Sequence, residues 1–481
     1  MSKEKGENLI EQFETEDKPN IQNYEERKKK HIIKGISSII SCIFHTCGFY
    51  SVFILGHTVV YLISFRRHYN PNITFSHGYF LFPIMYFIIS LTIPLGGVVE
   101  EMIGGKKTMF VSSLILCLSF SVMYFSRNLF IDYILMSFIG LGIAFGIKIT
   151  KRNACSYFMK RKALISGIVT LIPSFVSAGL VLFYEKHILN PLSESPTIDH
   201  MYYEEKIFIN FQKLLIYEIL FLILVGVLSL FTFYENDRKE TIRLGFGEEI
   251  KMKRKLTEIL KEEKSISKIK IALTDKRPYI QFIMLFFFFP TINFIQNIWR
   301  PIGIYYKIKT QHLQLIGALS SITGALSSIF FSLIGDKINF KYLFALSGLL
   351  LSITSFVFPT TFTKDILFII AILIIYFVLN GFNITIDPHL MKIYGIDHFV
   401  VICGIIRASS GIAEIVSISF AFYLENYFTG NKDYAYKHIY IISGCSSFIS
   451  FILGLFESDE KFDYNNNNNN KSKKMSEDFY E

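Results

Sequence analysis

Gly97-Val98-Val99-Glu100-Glu101-Met102-Ile103-Gly104-Gly105-Lys106-Lys107 is a short polar loop between two apolar runs. Ser332-Leu333-Ile334-Gly335-Asp336-Lys337-Ile338-Asn339-Phe340-Lys341 repeats it 235 residues later. A small residue, an acid, a turn residue and a base fall at 97/332, 101/336, 104/339 and 106/341. An apolar chain that repeats one loop at half its length reads as a fused duplication, each half a set of membrane spans.

The composition agrees. Of 481 residues, 51% are hydrophobic and 49 are Phe; the formal net charge is +9, and the charged residues of both signs crowd into 1–36, 235–277 and 457–481. Between those segments, long uncharged runs alternate with short polar breaks, as stacked spans require. No soluble domain remains to present a basic face to nucleic acid. The cysteines (Cys42, Cys47, Cys117, Cys155, Cys403, Cys445) lie in or at the ends of apolar runs, without metal-ligand spacing, and read as small packing residues. Residues 1–34 are polar and carry too many glutamates for a transit peptide, so the first span serves as the insertion signal.

At about 20 apolar residues per crossing, twelve spans are expected, near 37–64, 78–99, 107–125, 130–153, 163–184, 213–234, 278–306, 312–334, 341–361, 365–390, 400–424 and 434–456. The expected fold is an all-α polytopic membrane protein, twelve transmembrane helices in two pseudo-symmetric six-helix bundles. An N-terminal tail (1–36), a first bundle (37–234), a central loop (235–277), a second bundle (278–456) and a low-complexity tail (457–481) follow from this count. With both tails in the cytosol, most Lys and Arg flank the spans on the inner side. Residues 248–260 form either a basic amphipathic helix on the inner leaflet or a flexible tether. Asn72-Ile73-Thr74 is a glycosylation sequon in the first outer loop.

The two loops resemble the signature of the major facilitator superfamily, G-x-x-x-D-[RK]-x-G-[RK]-[RK], which lies between helices 2 and 3 with a weaker copy between helices 8 and 9. Gly97, Glu101, Gly104, Lys106 and Lys107 match the first, with Glu101 in place of aspartate and Met102 in place of a base. Asp336, Lys337 and Lys341 match the second. The resemblance implies alternating access, with these residues as a conformational gate. A narrower likeness is to the monocarboxylate porter and oxalate/formate antiporter branch. It rests on Gly140, Gly142 and Gly146, then on Tyr157-Phe158-Met159-Lys160-Arg161 with Ala163 and Gly167. Members of that branch carry small organic anions and commonly keep a base in helix 8, where His312–Ile334 here has no Lys or Arg.

Stranding a charge at the bilayer centre costs about 2.5–3.5 kcal/mol or more, so intramembrane charges mark candidate sites. Arg407, in the eleventh span, can hold a carboxylate through two parallel hydrogen bonds; a structural arginine is the other reading. Glu414, two helical turns on, either carries a coupling proton or bonds neighbouring helices. Polar stripes at Asn293, Gln296, Asn297 and Arg300 and at Asn380, Asn383 and Asp387 must face protein or water. His45, mid-span, either titrates as a substrate or proton group or is a neutral hydrogen-bonding residue. Lys148 and Arg152 share a face and read as anchors or as an entry for anions. In the superfamily, helices 1, 4, 7 and 10 line the path.

The expected activity is secondary-active transport of a small organic anion such as a monocarboxylate, driven by protons or by exchange. A neutral or zwitterionic nutrient and a non-transporting sensor are the alternatives. No enzyme activity, cofactor or metal is expected. The expected partners are a small-molecule solute, protons and the lipid bilayer, with no nucleic acid. The sequon and the lack of a transit peptide favour the plasma membrane.

Overall fold

In the computed structural model, residues 21–184, 205–237, 240–241, 244, 276–396, 398–428 and 431–457 are described. Segment 248–260 and the asparagine run at 465–470 lie outside them. All regular structure among the described residues is helical: α1 (Ile21–Tyr69), α2 (Leu81–Ile103), α3 (Gly105–Phe125), α4 (Leu129–Tyr157), α5 (Lys162–Phe183), α6 (Glu205–Thr232), α7 (Arg277–Tyr305), α8 (Thr310–Gly335), α9 (Phe340–Val357), α10 (Asp365–Tyr394), α11 (Phe399–Tyr427) and α12 (Lys432–Gly454), with short 3₁₀ turns between some of them. Each of the twelve contains a segment long and apolar enough to cross a membrane. There a helix is the solution that satisfies every backbone polar group within its own segment.

The duplication is visible in the packing. Helix α1 packs on α5 and α6, α2 on α4, and α3 on α4 and α6; α7 likewise packs on α11 and α12, α8 on α10, and α9 on α10 and α12. The most extensive contacts between bundles are α2 with α11 and α5 with α8. Those two pairs exchange under the same correspondence. Small residues make them possible. A Cβ placed on Gly167 would lie 2.3 Å from the Ser332 Cβ, one on Gly404 2.6 Å from the Pro94 ring, and one on Gly411 2.7 Å from the Ser90 Cβ.

Helix α1 runs 49 residues, beyond both ends of the expected 37–64, so the boundary at 36/37 falls inside a helix. Its first turns hold good helix formers, with Glu26 and Lys30 paired at 2.7 Å one turn apart. Its far end carries Arg66, which is fully buried. The guanidinium grips Asp132 of α4 with two hydrogen bonds of 2.6 and 2.8 Å and donates to the carbonyls of Met123 and Ser126 at the end of α3. One side chain thereby joins three elements.

The repeated loops turn differently. Gly104 alone separates α2 from α3, with φ +87, in the left-handed region that favours glycine. In the second copy, residues 336–339 connect α8 to α9, and Asn339 has φ −62. The 104/339 match is therefore one of sequence and not of backbone conformation.

Removing one member of the Arg66–Asp132 pair strands a buried charge, a loss of about 3–5 kcal/mol. Arg66→Ala and Asp132→Ala should each lower the unfolding temperature in detergent by more than the double substitution Arg66→Met/Asp132→Leu. Thermal unfolding followed by thiol exposure measures this.

Candidate functional site

Between the bundles lies a cavity of about 260 Å³ lined from both halves. The end of the molecule that carries the two repeated loops closes beneath it with a cluster of charges. On α10, Asn380, Asn383 and Asp387 follow one another at helical spacing, so one face of the helix is polar. Asp387, 1% exposed, accepts from Lys148 Nζ with both oxygens at 2.8 Å, from Lys151 Nζ at 2.8 Å and from Arg407 Nη2 at 3.1 Å. Arg407 also donates from Nη1 to Asn383 Oδ1 at 3.0 Å, and its buried Nε has no acceptor. Lys148 and Lys151 come from α4 in the first bundle, Asp387 and Arg407 from α10 and α11 in the second. The cluster is thus an ionic link between the bundles as well as a floor.

Three cations share one carboxylate here. In a low-dielectric site, two positive charges without an anion cost several kcal/mol each, a cost that a bound anion removes.

At the opposite end of the cavity stand Glu414, Asn293, Gln296, Tyr50, Tyr86 and Ser410. Asn297 Nδ2 donates to Glu414 Oε1 at 2.7 Å and to the Asn293 carbonyl at 2.8 Å. Ser90 and Ser410 meet across the bundles at 3.2 Å.

The expected residues sort as follows. Arg407, Asn293, Gln296, Asn380, Asn383 and Glu414 line the cavity. Asn297 lies behind its wall, bonded to Glu414. Arg300 sits away from it, its guanidinium 6.0 Å from the Tyr61 ring centroid. His45 is also displaced. It packs among α1, α3, α4 and α6, 3.4 Å from Ser112 Oγ and edge-on to Phe49, in space that Gly146 leaves by lacking a side chain. A helical stripe gives the angle of a face but not which neighbour it meets, and His45 looks into its own bundle.

The gate residues also separate. Gly97 lets α2 approach α11, where a Cβ would lie 2.9 Å from Val401. Asp336 reaches across to the first bundle and accepts the backbone N–H groups of Ala163 and Leu164 at 3.2 and 3.3 Å, at the start of α5. In the first copy the buried acid is Glu100, paired with Arg152 of α4, while Glu101 is exposed. Lys106, Lys107 and Lys337 are exposed, and Lys341 lies 4.9 Å from the Tyr342 ring centroid.

Sequence reasoning passed over Lys151 and read Lys148 as an anchor or as an entry for anions. Their signal was present: two lysines three residues apart at the end of a span, on the helix that the superfamily resemblance places on the path.

No protein-family profile matches the chain, and no curated protein sequence does. A solved structure does match: the major facilitator superfamily proton:xylose symporter XylE bound to 6-bromo-6-deoxy-D-glucose, with a TM-score of 0.62 over 87% of this chain and 94% of that one, at 14% identity. The likeness shows that this chain has the major facilitator fold.

Cys403 lies beside the link, its Sγ 3.8 Å from Asp387 Oδ1, and is fully buried. In a chain whose other five cysteines are Ala, Asp387→Asn should raise the alkylation rate of Cys403 by a membrane-permeant maleimide. About tenfold corresponds to about 1.4 kcal/mol of lost closure. An unchanged rate would show that the link does not hold this end shut.

Proposed function

We propose that the chain is a secondary transporter of the major facilitator superfamily that carries small organic anions across a membrane by alternating access. The observation that carries this reading is the group of three cations around Asp387 inside the central cavity. Arg407, Lys148 and Lys151 line the cavity as cations whose Asp387 contacts an entering carboxylate can share. A monocarboxylate fits that chemistry, as does the branch resemblance of 140–168. The bundles meet along two flat, small-residue contacts, α2/α11 and α5/α8, over which they can rock about the cavity.

Because Asp387 binds the same cations that an anion needs, entry of the solute competes with the link that joins the bundles. Binding energy is thereby coupled to movement at the loop-bearing end, the differential contact that a ligand-driven transition requires. Glu414 is the carboxyl placed to carry a coupling proton, since it lines the cavity and His45 does not. We place the protein in the plasma membrane with both termini in the cytosol, on the charge bias and the sequon of the sequence.

A second reading has its own support. Much of the cavity wall is neutral and hydrogen-bonding (Asn293, Gln296, Asn380, Ser90, Ser410), as a sugar or other neutral solute requires. The solved structure that resembles this chain is that of a proton:xylose symporter bound to 6-bromo-6-deoxy-D-glucose.

Uptake into proteoliposomes separates the two. With a panel of monocarboxylates and hexoses, the wild-type chain should take up carboxylate. Arg407→Glu should reduce that uptake by about 30-fold or more, as expected when one partner of a buried charge pair is lost; undiminished carboxylate uptake by this variant would sink the assignment. An inward proton gradient should stimulate wild-type uptake, and Glu414→Gln should abolish the stimulation. Stimulation that survives in the variant would place the proton elsewhere.

A further inference from the structure

The cavity has two chemically different ends, and the second one selects the cargo more narrowly than a carboxylate. Asn293 is 1% exposed, lines the cavity, and its side-chain Nδ2 has no acceptor. A buried amide donor left unpaired costs roughly 1–3 kcal/mol, so its retention beside a cavity points to a ligand atom that accepts from it. Its neighbour is an acceptor. Glu414 lines the same end, and Asn297 ties the two together by donating to the Glu414 carboxylate and to the Asn293 carbonyl. One orphan donor on Asn293 and one carboxylate on Glu414, linked through Asn297 by way of the Asn293 backbone carbonyl, are together the complement of a hydroxyl group, which accepts and donates through one oxygen. An ammonium would satisfy Glu414 and leave Asn293 unpaired. An alkyl tail would satisfy neither.

The cation cluster lies towards the loop-bearing end and Glu414 two turns of α11 beyond Arg407, about 10 Å along the axis. A solute that reaches both ends therefore carries its carboxylate several carbons away from the hydroxyl. We infer that the cargo is a hydroxylated carboxylate of about five or six carbons, with its carboxylate at Arg407, Lys148 and Lys151 and a distal hydroxyl between Asn293 and Glu414. This rests on the proposal that the cavity takes organic anions and adds the group at the far end. It also accounts for a wall rich in hydroxyl and amide side chains, which a plain alkyl acid does not use.

Three six-carbon acids test it on the full chain in detergent and in proteoliposomes: hexanoate, gluconate and 6-aminohexanoate. Gluconate should bind about tenfold or more tightly than hexanoate, the discrimination that a site built for hydrogen bonding imposes on an analogue lacking the group. Asn293→Leu should bring the gluconate-to-hexanoate ratio towards one, and Glu414→Leu, which removes the accepting oxygen, should do the same. Equal affinity of the wild type for the two acids overturns the hydroxyl inference and leaves the anion reading standing. A preference for 6-aminohexanoate over gluconate overturns it in favour of an ammonium at Glu414. Binding of glucose with none of the three acids overturns the anion reading itself. The wild-type comparison decides among these outcomes even if a variant does not fold.

Discussion

A single buried carboxylate governs this molecule. Asp387 sits where three cations converge, two from one bundle and one from the other, and those contacts are short and nearly dry. None of the four charges is tolerable alone in that setting. The positions of α4, α10 and α11 at the loop-bearing end are therefore mutually dependent, and the geometry of the cavity floor follows from theirs. The remaining inter-bundle contacts are small-residue packing at α2/α11 and α5/α8, ring contacts such as Phe80 with Phe422 and Arg300 with Tyr61, and polar touches such as Ser90 to Ser410 and Asp336 to the start of α5. These can separate and re-form at little cost, whereas the Asp387 contacts separate only when something else satisfies the charges.

The duplication supplies the scaffold, and departures from it supply the site. At the 235-residue spacing of the loops, Arg152 of α4 corresponds to Asp387 of α10, so equivalent places in the two halves carry opposite charges. Arg152 turns to Glu100 inside its own bundle, while Asp387 turns outward to the other. The two ends of the repeated loop diverge as well: one pivots on a single glycine with positive φ, the other on a four-residue connection whose aspartate caps a helix of the opposite bundle. The outcome is a symmetric shell around an asymmetric lining.

Much of the architecture was legible in the sequence. Apolar run length, charge placement and the repeated loop fix twelve helices and their halves, because in lipid those quantities are the folding constraint. The extent of α1 was not, since Arg66 reads as a flanking charge until its partner Asp132, 66 residues away, is brought against it. The site was half legible. The stripes on α7 and α10 and the lone Arg407 point to the cavity because polar faces cannot point at lipid. His45 and Arg300 show the limit of that argument: being unable to face lipid, a side chain can face its own bundle or a neighbouring ring just as well. Lys151 escaped notice because a lysine at a span end has an ordinary explanation, and only the tertiary partner distinguishes the two cases.

The glycines at the α2/α11 and α5/α8 contacts carry a consequence of a different kind. Gly97, Gly167, Gly404 and Gly411 each sit where an added methyl would collide with the opposite bundle. Such a surface can lose volume but not gain it: substitutions that enlarge it push the bundles apart. Apart from the ion cluster around Asp387, side chains that line the cavity are packed on fewer sides. The seam between the bundles is thereby more restricted in sequence than the wall of the cavity it encloses.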